Sequence, residues 1–243
     1  MGPYRVGASW VLGDIAVDAS EPLDVRYVLL THHHKSHVAG LPATSAKAVV
    51  ANPFEAGLLS DEARARSYVA AVLRRAGFAG DVAIDVPRLG VRFEKISAGW
   101  IDLDEASAQV IPCGSHTWGH TCYLFEEGVF VGDLGGWVVS VSSLIRAIQV
   151  LRTLGNKPAY PAHDAPTTAA EYAERLSSTV RGLLRAYRQC VRERTPYRMA
   201  LCARGDGDPL RLSEEGIAFL KYLAEVGEVK ILVRGGRYYA REV

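Results

Sequence analysis

Several features that mark specialised proteins are missing from this chain of 243 residues. Its four cysteines, Cys113, Cys122, Cys190 and Cys202, are scattered and never fall in a C-x-x-C pair, so their spacing gives no metal or redox motif. They are expected as reduced, buried thiols of a cytoplasmic protein. No apolar run is long enough to span a bilayer. The opening MGPYRVGASW lacks a basic region followed by an apolar one, so no secretory signal is expected. Charge of one sign is also missing: the net charge is +1, which gives no global pull toward nucleic acid or membrane. Asn (2) and Gln (3) are scarce, and Arg (22) far outnumbers Lys (6), a bias shared by thermophilic proteins and GC-rich genomes. There is no internal repeat and no low-complexity segment. What the chain does have is core material. With 49% hydrophobic and 23% charged residues it can bury one large domain, or a main domain and a small appendage.

Short β-rich runs dominate the first part. GASWVLG, DIAVDA and VRYVLL read as strands, followed by KAVVAN. A helix is expected over DEARARSYVAAVLRRAG, with Ser60 as its N-cap and Gly77 after its last turn. DVAIDV, VRFEKI, AQVIPC, TCYLFEE and GVFVGD read as sheet, much of it antiparallel. SSLIRAIQVLRTLGN reads as a helix capped by Ser142 or Ser143, and PAYPAHD as a further strand and loop. From Thr168 the pattern turns helical, opening on a capping box of Thr168 and Glu171. A shorter helix, SEEGIAFLKYLAEVG, and a hairpin turning at Gly235-Gly236 close the chain.

Four of the seven histidines crowd into THHHKSHVAG, directly after the strand VRYVLL. Others follow at further strand ends: His116 and His120 in CGSHTWGH, Asp133 at the end of GVFVGD, and His163 in YPAHD. Imidazole and carboxylate are ligands for zinc or iron, but only when three or more donors converge in space. Four strand-end loops that each present His or Asp provide the material for such a convergence.

T-H-H-H-K-S-H, then G-S-H-T-W-G-H, then G-D and P-A-H-D, in that order, resemble the motifs of the metallo-β-lactamase superfamily over roughly residues 4–165. The resemblance implies an α/β fold, the αβ/βα four-layer sandwich, with a core domain over residues 1–165. Residues 166–243 would form a small α+β extension, which resembles a winged helix. It further implies that His32, His34 and His116 bind one metal, that His37 and His163 bind a second, and that Asp133 bridges the two and is catalytic. His33 takes the variable position and is expected to pack or face solvent. Ser36 and His120 are assigned to substrate contact or to the surroundings of the ligands. In the family pattern the position of Ser36 is aspartate. A neutral hydroxyl is a poor ligand, so one tightly bound zinc and a weak or empty second site are expected. Two histidines with Asp133 would also suit the iron of a non-haem dioxygenase, the alternative metal.

These features imply a cytoplasmic, metal-dependent hydrolase that directs metal-bound hydroxide at a small ester, thioester or lactone. The first alternative is a nuclease or phosphodiesterase that holds RNA or DNA with the C-terminal extension. A second is a metal-binding member with little turnover. The small molecule is favoured as partner over nucleic acid, because from Ala165 onward there are only 14 basic residues against 10 acidic. The arginine row on the long helix is read as a solvated face, and Tyr238 and Tyr239 as packing residues. No membrane partner is implied. The extension could also cover the active-site mouth or mediate an oligomer contact.

Overall fold

The structure is a computed structural model that describes residues 2–80, 82, 89–104, 106–192 and 194–243. Its centre is two sheets laid face to face. The first runs β1 (Tyr4–Val6), β2 (Ser9–Leu12), β3 (Ile15–Val17), β4 (Tyr27–Leu29), β5 (Ala48–Ala51) and β6 (Phe93–Lys95) in spatial order. The second is built from β7 (Gly99–Leu103), β8 (Ala106–Pro112), β9 (Thr121–Leu124), β10 (Val129–Gly132), β11 (Pro158–Pro161) and β12 (Thr167–Thr168). Both are mixed: β3, β4, β5 and β6 pair in parallel, as do β10 and β11, while the other neighbours are antiparallel.

The two-residue period of a strand explains the layering. Ile15, Val17, Tyr27 and Leu29 point inward to meet Val110, Tyr123 and Phe130 of the opposite sheet. Ala16 and Val28, between them, point outward and pack under Val38, Leu41, Ala56 and Leu59. These last residues belong to or adjoin α1 (Lys35–Val38) and α2 (Pro53–Ser60), which α3 (Glu62–Ala76) follows. Strands covered on both faces are apolar at successive positions, as VRYVLL is. On the far side, Val129 and Val131 pack against α4 (Val141–Leu154) and α5 (Ala169–Gln189). The result is helix, sheet, sheet, helix.

The same far-side core continues through α6 (Pro196–Arg204), α7 (Pro209–Glu225) and the hairpin β13 (Val229–Arg234) and β14 (Arg237–Glu242). Tyr187 of α5 stacks on Phe219 of α7, with ring centroids 4.0 Å apart and planes 2° from parallel. Beside this pair lies a buried carboxylate. Glu215 is fully buried, accepts the Tyr187 hydroxyl at 3.0 Å, and takes both arms of Arg204 at 2.7 Å. Among the described residues no helix is long and apolar enough to cross a membrane.

Local details correct several expectations. Ser60 closes α2, and its neighbour Asp61 caps α3 by accepting the Arg64 amide at 3.0 Å. Ser140, rather than Ser142 or Ser143, caps α4 by accepting the Ser143 amide. The capping box of Thr168 and Glu171 is present as expected. Helices α2 and α6 and strand β7 are additions. Asn52, which accepts the Phe54 amide, with Pro53 at the first helical position, starts α2. The strand expected over 81–86 lies outside the described residues, apart from Val82. The cysteines are not free thiols: Cys113 is bonded to Cys122 and Cys190 to Cys202. The first bond ties the end of β8 to β9, and the second ties the end of α5 to α6.

The Glu215 pair gives a stability test. Arg204→Met is expected to cost roughly 3–5 kcal/mol, because it strands a buried carboxylate. Joining it with Glu215→Leu should recover much of that loss. Urea unfolding of both variants measures it, and a double variant no more stable than the single one would contradict this account.

Candidate metal centre

Every candidate ligand sits where a strand ends. His32 and His34 follow β4, and His37 lies inside α1, which begins one residue after His34. His116 lies in the loop between β8 and β9, Asp133 directly follows β10, and His163 comes two residues after β11. Hydrogen bonds between the sheets hold these ends in register. The Thr121 amide donates to Thr31 O at 3.0 Å, the Tyr123 hydroxyl to Leu30 O at 2.8 Å, and Trp10 Nε1 to Pro161 O at 2.9 Å.

The loops converge on two donor sets. His32, His34, His116 and Asp133 each offer an atom within 4.8 Å of all the others, and so do His37, Asp133 and His163. Asp133 is common to both. One oxygen, Oδ1, lies 3.2 Å from Nε2 of both His37 and His163. The other, Oδ2, lies 3.6 Å from His116 Nε2 and 3.9 Å from His32 Nε2. His32 Nε2, His37 Nε2 and Asp133 Oδ1 are buried and have no hydrogen-bond partner. Buried polar atoms are rarely left unsatisfied, so orphaned nitrogens aimed at one carboxylate fit a metal ion. Imidazole with carboxylate suits zinc or iron.

The atoms behind the ligands decide which nitrogen faces the centre. Asp18 accepts the Thr31 amide at 2.8 Å, the Thr31 hydroxyl at 2.8 Å, and His37 Nδ1 at 2.8 Å. Having given its proton to Asp18, the Thr31 hydroxyl accepts from His32 Nδ1 at 2.9 Å. His116 donates Nδ1–H to Trp137 O at 3.2 Å. In all three rings Nδ1 is the donor to a neighbour, so Nε2 is the nitrogen turned toward the centre, the usual way outlying partners orient ligands.

Glu55 joins two ligand loops. Fully buried in α2, it accepts the His33 amide at 2.9 Å and the His33 ring nitrogen through Oε2. Through Oε1 it accepts the Thr117 hydroxyl and the Gly119 amide, each at 2.8 Å. Gly119 is needed for that approach, since a Cβ there would lie 2.6 Å from Oε1. The Cys113–Cys122 bond closes the same loop at its base.

Burial and mutual repulsion hold most of the rings neutral. His32 and His34 are driven well below the ordinary imidazole value, His116 to about 3 and His120 to about 4, with desolvation the leading cause in each. His37 is the exception. Burial opposes its charge, but Asp18 and Asp133 outweigh burial and raise it to about 10. Burial also pushes Asp133 up, yet attraction from His37 beside it holds it below the usual carboxylate range. His33 is raised too, because the Glu55 carboxylate outweighs burial.

The remaining candidates fall elsewhere. Ser36 is exposed on α1 and bonds to no ligand. His120 is buried beside the first donor set, its ring centroid 5.5 Å from that of His32, and neither of its nitrogens is hydrogen-bonded. His33 packs onto Glu55 rather than facing solvent. Asp18 and Glu55 were not expected from sequence. The only local sign of Glu55 is its place in the first turn of a helix opened by Asn52-Pro53. Beside the second donor set a cleft of about 360 Å³ runs between Asp133, His163 and Asp164 on one side and Tyr172, Arg175 and Thr179 of α5 on the other.

Known structures share this architecture. A metallo-β-lactamase family protein from Thermus thermophilus superposes on 100% of this chain and 97% of its own, with a TM-score of 0.74 at 16% identity. A β-lactamase domain protein from Burkholderia ambifaria covers 100% of this chain and 90% of its own, with a TM-score of 0.70 at 15% identity. An archaeal metallo-β-lactamase superfamily protein from Sulfolobus tokodaii covers 73% and 85%, with a TM-score of 0.55 at 17% identity. No protein-family model matches the sequence, and no curated protein matches it. The chain therefore has the metallo-β-lactamase fold, and the first two superpositions run through its C-terminal helices and hairpin.

Glu55→Gln keeps the shape but replaces one acceptor oxygen with a donor that faces donors. Metal affinity is expected to fall roughly 10- to 100-fold, the usual penalty for a lost outlying partner. Competition with a chromophoric chelator measures it, and unchanged affinity would show that Glu55 does not set the ligand loops.

Proposed function

We infer that this protein is a metal-dependent hydrolase acting on a small ester, thioester or lactone. The observation that carries the reading is the convergence of His32, His34, His116 and Asp133, with His32 Nε2 and Asp133 Oδ1 buried and unpartnered, beside a cleft that Asp133 itself lines. A divalent ion held there supplies Lewis acidity, polarising a carbonyl and lowering the pKa of water from about 15.7 to about 7.

The chain supplies position and charge. Asp133, kept ionised, faces His37 and His163 with one oxygen and His116 and His32 with the other, so it is placed to orient an attacking water. The cleft matches small-molecule pockets in size. Its α5 wall places the exposed Arg175 guanidinium 5.2 Å from the centre of the Tyr172 ring, where it can meet an anionic portion of a substrate. Zinc is favoured at the first site. The second has only His37, His163 and the shared Asp133, and the side chain of His163 is 59% exposed. With Ser36 adding no carboxylate, the second ion is held more weakly.

Elemental analysis of purified protein should give about one equivalent of zinc. Hydrolysis of a generic ester or thioester should stop on chelation and return with zinc. Two tightly held equivalents would overturn the unequal sites. A His116→Ala protein with full metal content would overturn the ligand set, and zinc-loaded protein inert toward esters, thioesters and lactones alike would overturn the activity.

A further inference from the structure

The C-terminal hairpin carries its charge on one face. In its register Lys230 lies opposite Arg241, Leu232 opposite Tyr239, and Arg234 opposite Arg237. Directly opposed residues share a face, and the alternate pairs point the other way. That inner face seats Ile231, Ala240 and Tyr238 against the helices. The outer face presents four exposed cations around Leu232 and the half-buried Tyr239.

Cations directly opposite each other across two strands destabilise a hairpin. This one holds two such pairs, and among the described residues no carboxylate pairs with any of the four side chains. On the neighbouring helices three arginines do meet carboxylates: Arg181 meets Glu174, Arg188 meets Glu228, and Arg204 meets Glu215. Arg74 of α3 adds a further cation beside the hairpin turn, its Nε 3.6 Å from where a Gly236 Cβ would lie. The hairpin therefore carries four cations, unpaired among the described residues, on one short face, a local grouping that a charge count over residues 165–243 does not reveal.

Geometry narrows the partner. The two cation pairs stand four residues apart along each strand, about 13 Å at roughly 3.3 Å per residue. A polymer with repeating phosphates can meet both pairs at once. Three of the four cations are arginine, whose planar fork matches phosphate oxygens. Tyr239, midway between the pairs, offers a ring on which a base can stack, the combination of charge and aromatic surface that holds single strands. An anionic bilayer would favour a large exposed apolar side chain here, and neither Leu232 nor Tyr239 is fully exposed.

We propose that the outer face of the β13–β14 hairpin binds single-stranded nucleic acid, with phosphates on Lys230, Arg234, Arg237 and Arg241 and a base against Tyr239. The surface is separate from the hydrolytic site, and the proposal stands or falls independently of the activity inferred there.

Fluorescence anisotropy of the full chain with a labelled mixed-sequence RNA of about 16 nucleotides tests it. Binding should weaken with salt, with a log–log slope near −2 to −3, as expected for three to four phosphate contacts at about −0.7 each. Arg234→Gln with Arg237→Gln should reduce the slope by about 1.4 and weaken binding at least tenfold at moderate salt. That variant should unfold at equal or higher urea concentration, because it relieves a like-charge pair. Lys230→Gln with Arg241→Gln provides an independent pair should the first fold poorly. His116→Ala should bind RNA as the unaltered protein does, which separates this surface from the metal site. RNA binding that is unaffected by both double variants, or binding to polyglutamate or phosphatidylserine vesicles without RNA binding, would overturn the proposal.

Discussion

Buried negative charge governs this site. Asp18 and Glu55 lie beneath the imidazoles with almost no exposure, and Asp133 lies among them. An ion taken out of water costs several kcal/mol unless its lone pairs are met. Here they are met by the loops that carry the ligands. Asp18 collects the Thr31 amide and hydroxyl and the His37 ring, while Glu55 collects His33 on one side and Thr117 and Gly119 on the other. Any other loop conformation would strand a carboxylate in the core. The need to satisfy two anions therefore fixes where the histidines stand, and the ligand nitrogens reach the centre already oriented.

The scaffold makes this economical. Because the strands end along one rim of the sandwich, residues far apart in sequence emerge beside one another. Aromatic rings interlock with aliphatic side chains between the sheets: Phe130 stacks on Tyr160 at 4.7 Å and meets Phe125 edge-on at 5.5 Å. Such close packing resists compression, so the rim keeps its spacing.

The cluster of candidate donors was legible in the sequence because histidine is rare and each candidate stood at a strand end. Their second row was not. An aspartate in VDAS and a glutamate early in a helix look like ordinary surface residues, and contacts across 19 or 64 positions leave no local trace. Caps failed by proximity. Ser60 and Asp61 are both good N-caps, and only the preceding helix decides that the serine belongs to it. The cysteines failed for another reason, since separations of 9 and 12 match no motif and their pairing depends on which strands and helices become neighbours. The hairpin turn was readable from its two glycines, but the opposition of its cations needed the register.

Gly132, immediately before the shared carboxylate, has a φ of +53°, and a Cβ there would stand 2.7 Å from the Thr31 hydroxyl and 3.0 Å from His120 Nε2. The backbone of one sheet thus touches the hydroxyl that links His32 to Asp18. Any side chain at this position would have to push the two sheets apart beside the shared carboxylate, so the seam admits nothing larger than a hydrogen there.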